Sequence, residues 1–273
     1  MKNNLLRNSI KLALTGLLTV GAFSNASAHV SYNTYNAGKT PGVGGTDGWS
    51  NPGGWVGTAN GNAPFAFAGP VANWAAQLHH AGASLTVSTA DAQADYGIAA
   101  DIDTAKGAWN DGFFTQSAFS QGWGHNTDLG LFKSDITQIV TLTASNVDPS
   151  SWQNFGISVF SGMTTEGNYD HHGGWNVGYS SSNTAPATQD NPLGTVGLDF
   201  LTYTDNSTVS FTAQAGQVYS ILLGGNSGDG NFGPHARYQL EISSVPVPGA
   251  VWLFGSAIAG LVGFGKRKRE IAQ

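Results

Sequence analysis

The chain has 273 residues, of which 40% are hydrophobic and 38 are glycine, with no cysteine and a formal net charge of −6. Without cysteine there are no disulfides and no thiolate metal sites, so histidine, carboxylate or carbonyl groups must hold any metal ion. An acidic protein is repelled by polyphosphates and attracts cations, which excludes nucleic acid as an expected partner.

The first 28 residues have the pattern of an export signal. A basic start at residues 2–11 is followed by an apolar stretch at residues 12–22 and by an A-x-A cleavage site at residues 26–28. Cleavage after Ala28 makes His29 the first residue of the mature protein. We therefore expect residues 1–28 to be a signal peptide and the protein to be exported through the inner membrane.

Residues 29–244 are predicted to form an all-β domain, a single β-sandwich with long glycine-rich loops. The many Gly, Ser, Thr and Asn residues and the few Leu, Lys and Glu residues disfavour helices and favour strands joined by turns. Alternating or β-branched runs predict strands at residues 83–89, 96–103, 135–143, 155–161, 175–180, 208–213, 217–224 and 235–243.

Three finer predictions concern local structure. Residues 29–69 are rich in Gly, Asn and Pro and are expected to be long loops. Residues 71–80 are the only segment for which we predict a helix, a short one with Trp74 and Leu78 on its apolar face. Residues 209–223 are expected to form a β-hairpin, because glycine stands in the short connection between two alternating runs.

The last segment, residues 245–273, has the order of a sorting tail. A Val-Pro-Val-Pro-Gly sequence at residues 245–249 is followed by an apolar run at residues 250–265 and then by four basic residues. This order resembles the PEP-CTERM tail, although Val247 stands where that family has glutamate. The residues that carry the resemblance are Pro246, Pro248, Lys266, Arg267, Lys268 and Arg269.

The resemblance implies that an exosortase-type machinery is a partner, and that the tail is removed at the outer surface. As a helix, the 16 residues from 250 to 265 span about 24 Å, less than the hydrocarbon layer of about 30 Å. The basic cluster favours a cytoplasmic C-terminus by the positive-inside rule. We expect contact with the membrane only through this tail before processing, with a permanent anchor as the alternative. The protein then resides on the outer surface or in the extracellular matrix.

The two end segments hide how acidic the predicted domain is. They contain seven of the 11 Lys and Arg residues but only one of the 17 Asp and Glu residues, which leaves the region between them with a net charge of −12. Such a domain attracts metal cations.

Histidine supplies the most informative candidate chemistry. Neutral imidazole is the best remaining ligand for copper, zinc or nickel when no thiol is present. The spacings from His80 to His125 (45 residues) and from His125 to His171 (46 residues) allow ligands from neighbouring loops at one end of a sandwich. Solvated loop histidines are the alternative. The seven histidines are His29, His79, His80, His125, His171, His172 and His235.

The Trp123-Gly124-His125 step resembles the surface-associated copper-binding proteins of methane-oxidising bacteria, the CorA/MopE type. The resemblance implies that two histidines hold copper beside a tryptophan oxidised to kynurenine. His125 is then one ligand, Trp123 the modified residue, and the second ligand comes from the pair His79 and His80 or the pair His171 and His172. Two or three imidazoles also favour copper over structural zinc, which prefers four ligands. We expect a binding protein rather than an enzyme.

Two alternatives involve metal ions at other places. As a mature N-terminus, His29 can chelate copper through its amine and imidazole, the arrangement of copper-dependent polysaccharide monooxygenases, which makes a copper-dependent polysaccharide oxidase the minor alternative. Calcium is the other alternative, because Asp101, Asp103 and Asp111 begin like a calcium loop, although the rest of the EF-hand pattern is missing. The sequence contains neither a Gly-x-Ser-x-Gly nor a His-Glu-x-x-His motif.

A structural role in an exopolysaccharide matrix is the alternative from a different functional class. Four tryptophans each follow a glycine and are candidates for stacking on sugar rings, as is common in carbohydrate recognition. This interpretation needs no metal and makes exopolysaccharide the partner. The four residues are Trp49, Trp55, Trp123 and Trp175.

Overall fold

The computed structural model describes residues 28–35, 37–38, 54–69, 72–110, 122–123, 126–148, 154–163, 197–226 and 233–246. These ranges contain thirteen strands, one α-helix, α1 (Thr89–Tyr96), and two 3₁₀ turns, Ala59–Gly61 and Pro64–Ala66. The strands are β1 (His29–Asn33), β2 (Trp55–Val56), β3 (Trp74–Leu78), β4 (Ser84–Val87), β5 (Asp103–Asn110), β6 (Gly122–Trp123), β7 (Asp128–Ser134), β8 (Gln138–Asn146), β9 (Asn154–Gly162), β10 (Leu198–Thr204), β11 (Thr208–Ala213), β12 (Val218–Asn226) and β13 (His235–Pro246).

The all-β prediction is confirmed. The strands form one large mixed sheet in the hydrogen-bonded order β11-β8-β13-β5-β12-β7-β3-β1-β2, while β4 pairs with β13, β6 with β5, and β9 with β12 and β10. Both ends of this order contribute side chains to the same core: β8, β11 and β13 at one end, and β7, β3 and β1 at the other. The described strands therefore have the two facing layers of a sandwich.

The main core lies between these layers. Phe132 and Ile221 from one layer and Leu142 and Leu240 from the other are fully buried in it. A second, smaller apolar cluster covers the opposite face of the layer that contains β7 and β12. Trp109 and residues of the 55–67 segment belong to this cluster. Strands in this layer are consequently buried on both faces.

The helix predicted for residues 71–80 is wrong, because residues 74–78 form strand β3. This strand lies antiparallel to β1 and parallel to β7. Ala76 packs into the main core and Ala75 into the second cluster. A strand buried on both faces shows no alternation of polar and apolar residues, so its sequence resembles a buried helix. Trp74 is accommodated because Gly130, directly opposite on β7, leaves room for the indole ring.

The strand predicted at residues 96–103 is also wrong. The Ser88 side chain accepts a hydrogen bond from the Asp91 backbone N–H at 3.0 Å and starts α1, which ends at Gly97 with a left-handed φ of 73°. Strand β5 begins only at Asp103. The loops predicted for residues 29–69 contain β1 and β2, which pair with each other. The predicted strand at residues 175–180 lies outside the described residues.

The hairpin predicted for residues 209–223 is wrong as well, although both of its strands exist. Strand β11 pairs with β8, whereas β12 pairs with β7 and β9. The turn at Gly216 therefore connects two layers of the sandwich instead of two hydrogen-bonded neighbours. The predicted strands that correspond to β4, β8, β9, β11, β12 and β13 are confirmed.

The end segments lie almost wholly outside the described residues, including the apolar stretches at 12–22 and 250–265. Strand β13 continues into the predicted tail, where Val245 is opposite Ile139 of β8. Within the described ranges, no helix is long and apolar enough to cross a membrane.

Candidate metal site

Strand register brings two distant histidines to one corner of the sheet. His29 on β1 is opposite Gln77 on β3, and Gln77 is opposite Lys133 on β7. Side chains two residues apart along a strand point to the same face. His79 follows Gln77 by two positions and Asp135 follows Lys133 by two, so both lie on the face that carries His29, just beyond the ends of β3 and β7.

The side chains of this corner form a connected chain of contacts. His29 Nδ1 lies 3.0 Å from His79 Nε2, and the two ring centroids are 5.1 Å apart. His79 Nδ1 lies 2.7 Å from Asp135 Oδ2, and Gln77 Nε2 donates to Asp135 Oδ1 at 2.7 Å. The Asp135 backbone N–H donates to the Leu78 carbonyl at 2.9 Å. Asp135 is thus oriented from three sides.

Asp135 determines which nitrogen of His79 is available. Burial opposes its charge, but the hydrogen bonds from His79 and Gln77 and the nearby charge of Lys133 hold the pKa of Asp135 below its usual value. An ionised carboxylate only accepts hydrogen bonds, so His79 Nδ1 must carry the donated proton. The Nε2 lone pair of neutral His79 therefore faces His29 Nδ1.

His29 is kept in the form that binds metals. Burial lowers the pKa of His29, and so does the positive charge that His79 carries when it is protonated, whereas Asp135 acts in the opposite direction. In the metal-free protein a proton on His29 Nδ1 holds the contact with His79. When a metal ion replaces this proton, each nitrogen lies about 2.0 Å from the metal. The two rings must therefore move apart by up to about 1 Å. The exposed position of His29 at the start of β1 permits that movement.

The donor set at this corner consists of two imidazole nitrogens. In the described part of the chain, no group of three or more His, Asp or Glu residues is arranged to hold a metal ion. Asp135 contacts the far nitrogen of His79 and is placed to orient it, as carboxylates do behind metal-bound histidines. The arrangement fits a metal that accepts few protein ligands.

The predicted site residues are only partly within the described structure. His79 contacts His29, whereas the adjacent His80 is exposed. Trp123 lies on β6 opposite Trp109, and its side chain is outside the description. Three further predicted ligands lie outside the described residues: His125, His171 and His172.

Sequence reasoning missed Asp135 and Gln77 at this corner, and it placed His29 and His79 in separate hypotheses. The two histidines are 50 residues apart. Their shared corner follows from the β1–β3 register, and the helix predicted for residues 71–80 concealed that register. The sequence of β1 does alternate, since the core residues Val30 and Tyr32 stand between polar residues, but the Gly, Asn and Pro content of residues 29–69 predicts loops for this segment.

One acidic residue of the calcium alternative, Asp103, has a side-chain partner in the structure, and so has Asp128 nearby. Asp103 Oδ1 lies 3.1 Å from Nδ1 of His235, and the two side chains are mostly buried. Asp128 is fully buried and accepts hydrogen bonds from Tyr238 and Asn73. Burial, followed by the charges of Asp103 and Asp101, raises the pKa of Asp128 well above its usual value. These contacts form a structural network between β5, β7 and β13; Asp111 lies outside the described residues.

Of the four tryptophans of the carbohydrate alternative, the structure describes the side chain of Trp55 alone. Trp55 is 8% exposed and packs in the second apolar cluster beside Phe67, so its ring face is not available for stacking on a sugar. Trp49 and Trp175 lie outside the described residues.

Comparison with solved structures gives a distant likeness. No protein-family model and no curated protein matches the chain. Among solved structures, it is similar to CorA of Methylomicrobium album BG8, described as a surface-associated copper-binding protein important in copper acquisition. The identity is 12% and the TM-score 0.32, and the match covers 59% of this chain and 92% of that one.

Proposed function

We propose that this chain is an exported, surface-associated protein that binds copper without turning over a substrate, and that His29 and His79 hold the metal. The observation that carries the proposal is the 3.0 Å approach of His29 Nδ1 to His79 Nε2, with Asp135 bonded to the far nitrogen of His79. Export and surface location rest on the signal-peptide and sorting-tail patterns of the sequence.

The donor chemistry favours copper among the common metals. Two neutral imidazoles suit copper, which is bound more strongly than the other divalent first-row metals by nitrogen donors. A structural zinc ion prefers four ligands in a tetrahedron. Calcium and magnesium prefer oxygen ligands, and Asp135 turns its oxygens toward Gln77 and His79. The acidic domain attracts the cation.

Titration with a chromophoric Cu(I) competitor tests the site. We expect the wild-type protein to bind one Cu(I), and His29→Ala and His79→Ala each to lose most of the affinity because each removes one of two ligands. His80→Ala is the matched control, since it removes an exposed histidine next to the site. Equal losses in all three variants would indicate nonspecific binding, and unchanged affinity in the first two would refute the proposal.

Two further variants locate the site more sharply. Asp135→Asn is expected to weaken binding by about 10-fold to 100-fold, because outer-shell partners orient the ligands and keep them basic. His125→Ala tests the ligand predicted from the Trp-x-His step. A complete loss with His125→Ala, together with full affinity in His29→Ala, would move the site away from the β1–β3 corner.

A further inference from the structure

We infer that the backbone amine of His29, set free by cleavage after Ala28, is a third nitrogen ligand that turns this corner into a Cu(II) site. The inference rests on the proposed function, because it extends the same pair of histidines. In the uncleaved chain the nitrogen of residue 29 is an amide and is a poor ligand. Export processing would thereby decide which oxidation state of copper the protein retains.

The identity of the ring nitrogen is the first argument. His29 presents Nδ1, and not Nε2, toward His79. Only Nδ1 is close enough in covalent connectivity to share a metal ion with the amine of the same residue, since the two nitrogens and the metal then close a six-membered ring. With Nε2 facing His79, the amine could not reach the same ion.

The position of the amine is the second argument. Asn33 N–H donates at 2.9 Å to the carbonyl of Asn73, the residue that directly precedes β3. Backbone bonds of an antiparallel pair alternate, so Ser31 and His29 also turn their N–H groups toward β3. His29 is the first residue of β1 and is opposite Gln77, two residues before His79. The amine therefore faces β3, the strand that ends directly before His79.

The cleavage motif is the third argument. The A-x-A pattern at residues 26–28 places the predicted cut immediately before the residue that makes the contact. A cut one residue earlier or later would leave no residue with both groups at this position. Three nitrogens, with water completing the set, match the tetragonal nitrogen and oxygen surroundings that Cu(II) prefers.

The test compares two proteins that differ only at the N-terminus. One begins at His29 and the other retains residues 24–28 in front of it, both running to Gln273 in the same detergent. Five added residues are needed because an amine one or two residues before histidine forms a copper chelate of its own. Strand β1 begins at His29, so both proteins contain every described helix and strand.

We expect the protein that begins at His29 to bind Cu(II) about 100-fold or more tightly than the extended protein, because the amine and imidazole act as one linked ligand. Its electron paramagnetic resonance spectrum should be tetragonal with nitrogen couplings that the extended form lacks. Cu(I) affinity should be similar in both. His79→Ala in the processed form should also weaken Cu(II) binding, which distinguishes this site from a terminal histidine acting alone.

The outcomes separate the two proposals. Equal Cu(II) affinity and equal spectra in the two proteins would overturn the role of the amine and leave the two-imidazole Cu(I) site standing. Full Cu(II) affinity in His79→Ala would overturn it too, because the N-terminus would then bind without β3. If neither protein binds Cu(I), the proposed function fails and this inference fails with it.

Discussion

Replacement of Asp128 by asparagine tests how a buried carboxyl group affects folding. Asp128 is 2% exposed. It accepts hydrogen bonds from Tyr238 Oη at 2.9 Å and Asn73 Nδ2 at 3.0 Å, and the Trp74 indole N–H donates to Tyr238 Oη at 2.9 Å. Burial and the nearby charges of Asp103 and Asp101 nevertheless raise the pKa of Asp128 well above its usual value.

The sign of the effect follows from proton binding. Above an unfolded-state pKa of about 3.9, the unfolded chain has released the proton that folded Asp128 still holds, so the free energy of unfolding falls with rising pH. The loss is up to about 1.4 kcal/mol for each pH unit until the folded carboxyl group ionises. Asparagine does not titrate. Its altered hydrogen bonds with Tyr238 and Asn73 add a cost of about 1–3 kcal/mol that does not depend on pH.

Urea unfolding of wild type and Asp128→Asn from about pH 4 to about pH 7 measures this effect. The free energy of unfolding of the variant, minus that of the wild type, should increase with pH. Taking the difference removes the contributions of the titrating groups that do not interact with Asp128. Ser158→Ala is the control: it removes the acceptor of the buried Trp109 indole N–H and adds no titrating group, so its difference should stay constant. A constant or falling difference for Asp128→Asn would refute the raised pKa.

Two further predictions concern packing and capping. Gly130→Ala should destabilise the fold by about 1–3 kcal/mol, because the new Cβ would overlap the Trp74 indole ring. In Gly216→Ala the Cβ meets no neighbour and only the left-handed φ of 78° costs free energy, about 1–2 kcal/mol. Thermal melts compare the two, and a larger loss at Gly216 would contradict the packing argument. Ser88→Ala should cost about 1 kcal/mol by removing the cap bonded to the Asp91 N–H, and Ser88→Thr should retain most of it; equal stability of all three proteins would contradict the assigned cap.

The sequence alone determined the fold class and the strands with one exposed face. Residues 208–213 alternate between exposed and buried positions along β11, and the predicted bounds agree with the structure. The period of two is a local property, so it can be read from six residues without knowing the partner strand. The absence of cysteine likewise excludes thiolate metal ligands, because composition does not depend on how the chain folds.

Pairing and burial on two faces required the tertiary structure. Strand β3 carries Trp74, two alanines and Leu78, a composition that favours a helix, and only its position between β1 and β7 makes it a strand. Strands β11 and β12 are close in sequence, but their partners lie in different layers. Local propensity does not specify which distant strand is adjacent.

The candidate site, too, was predicted only in part. The sequence indicated histidines as the metal ligands and a cleavage motif directly before His29. The meeting of His29 with His79, and of His79 with Asp135, depends on an antiparallel register on one side of β3 and a parallel register on the other. Contacts across 50 and 56 residues arise from that alignment, because a shift of either strand by one residue would turn its side chain to the opposite face.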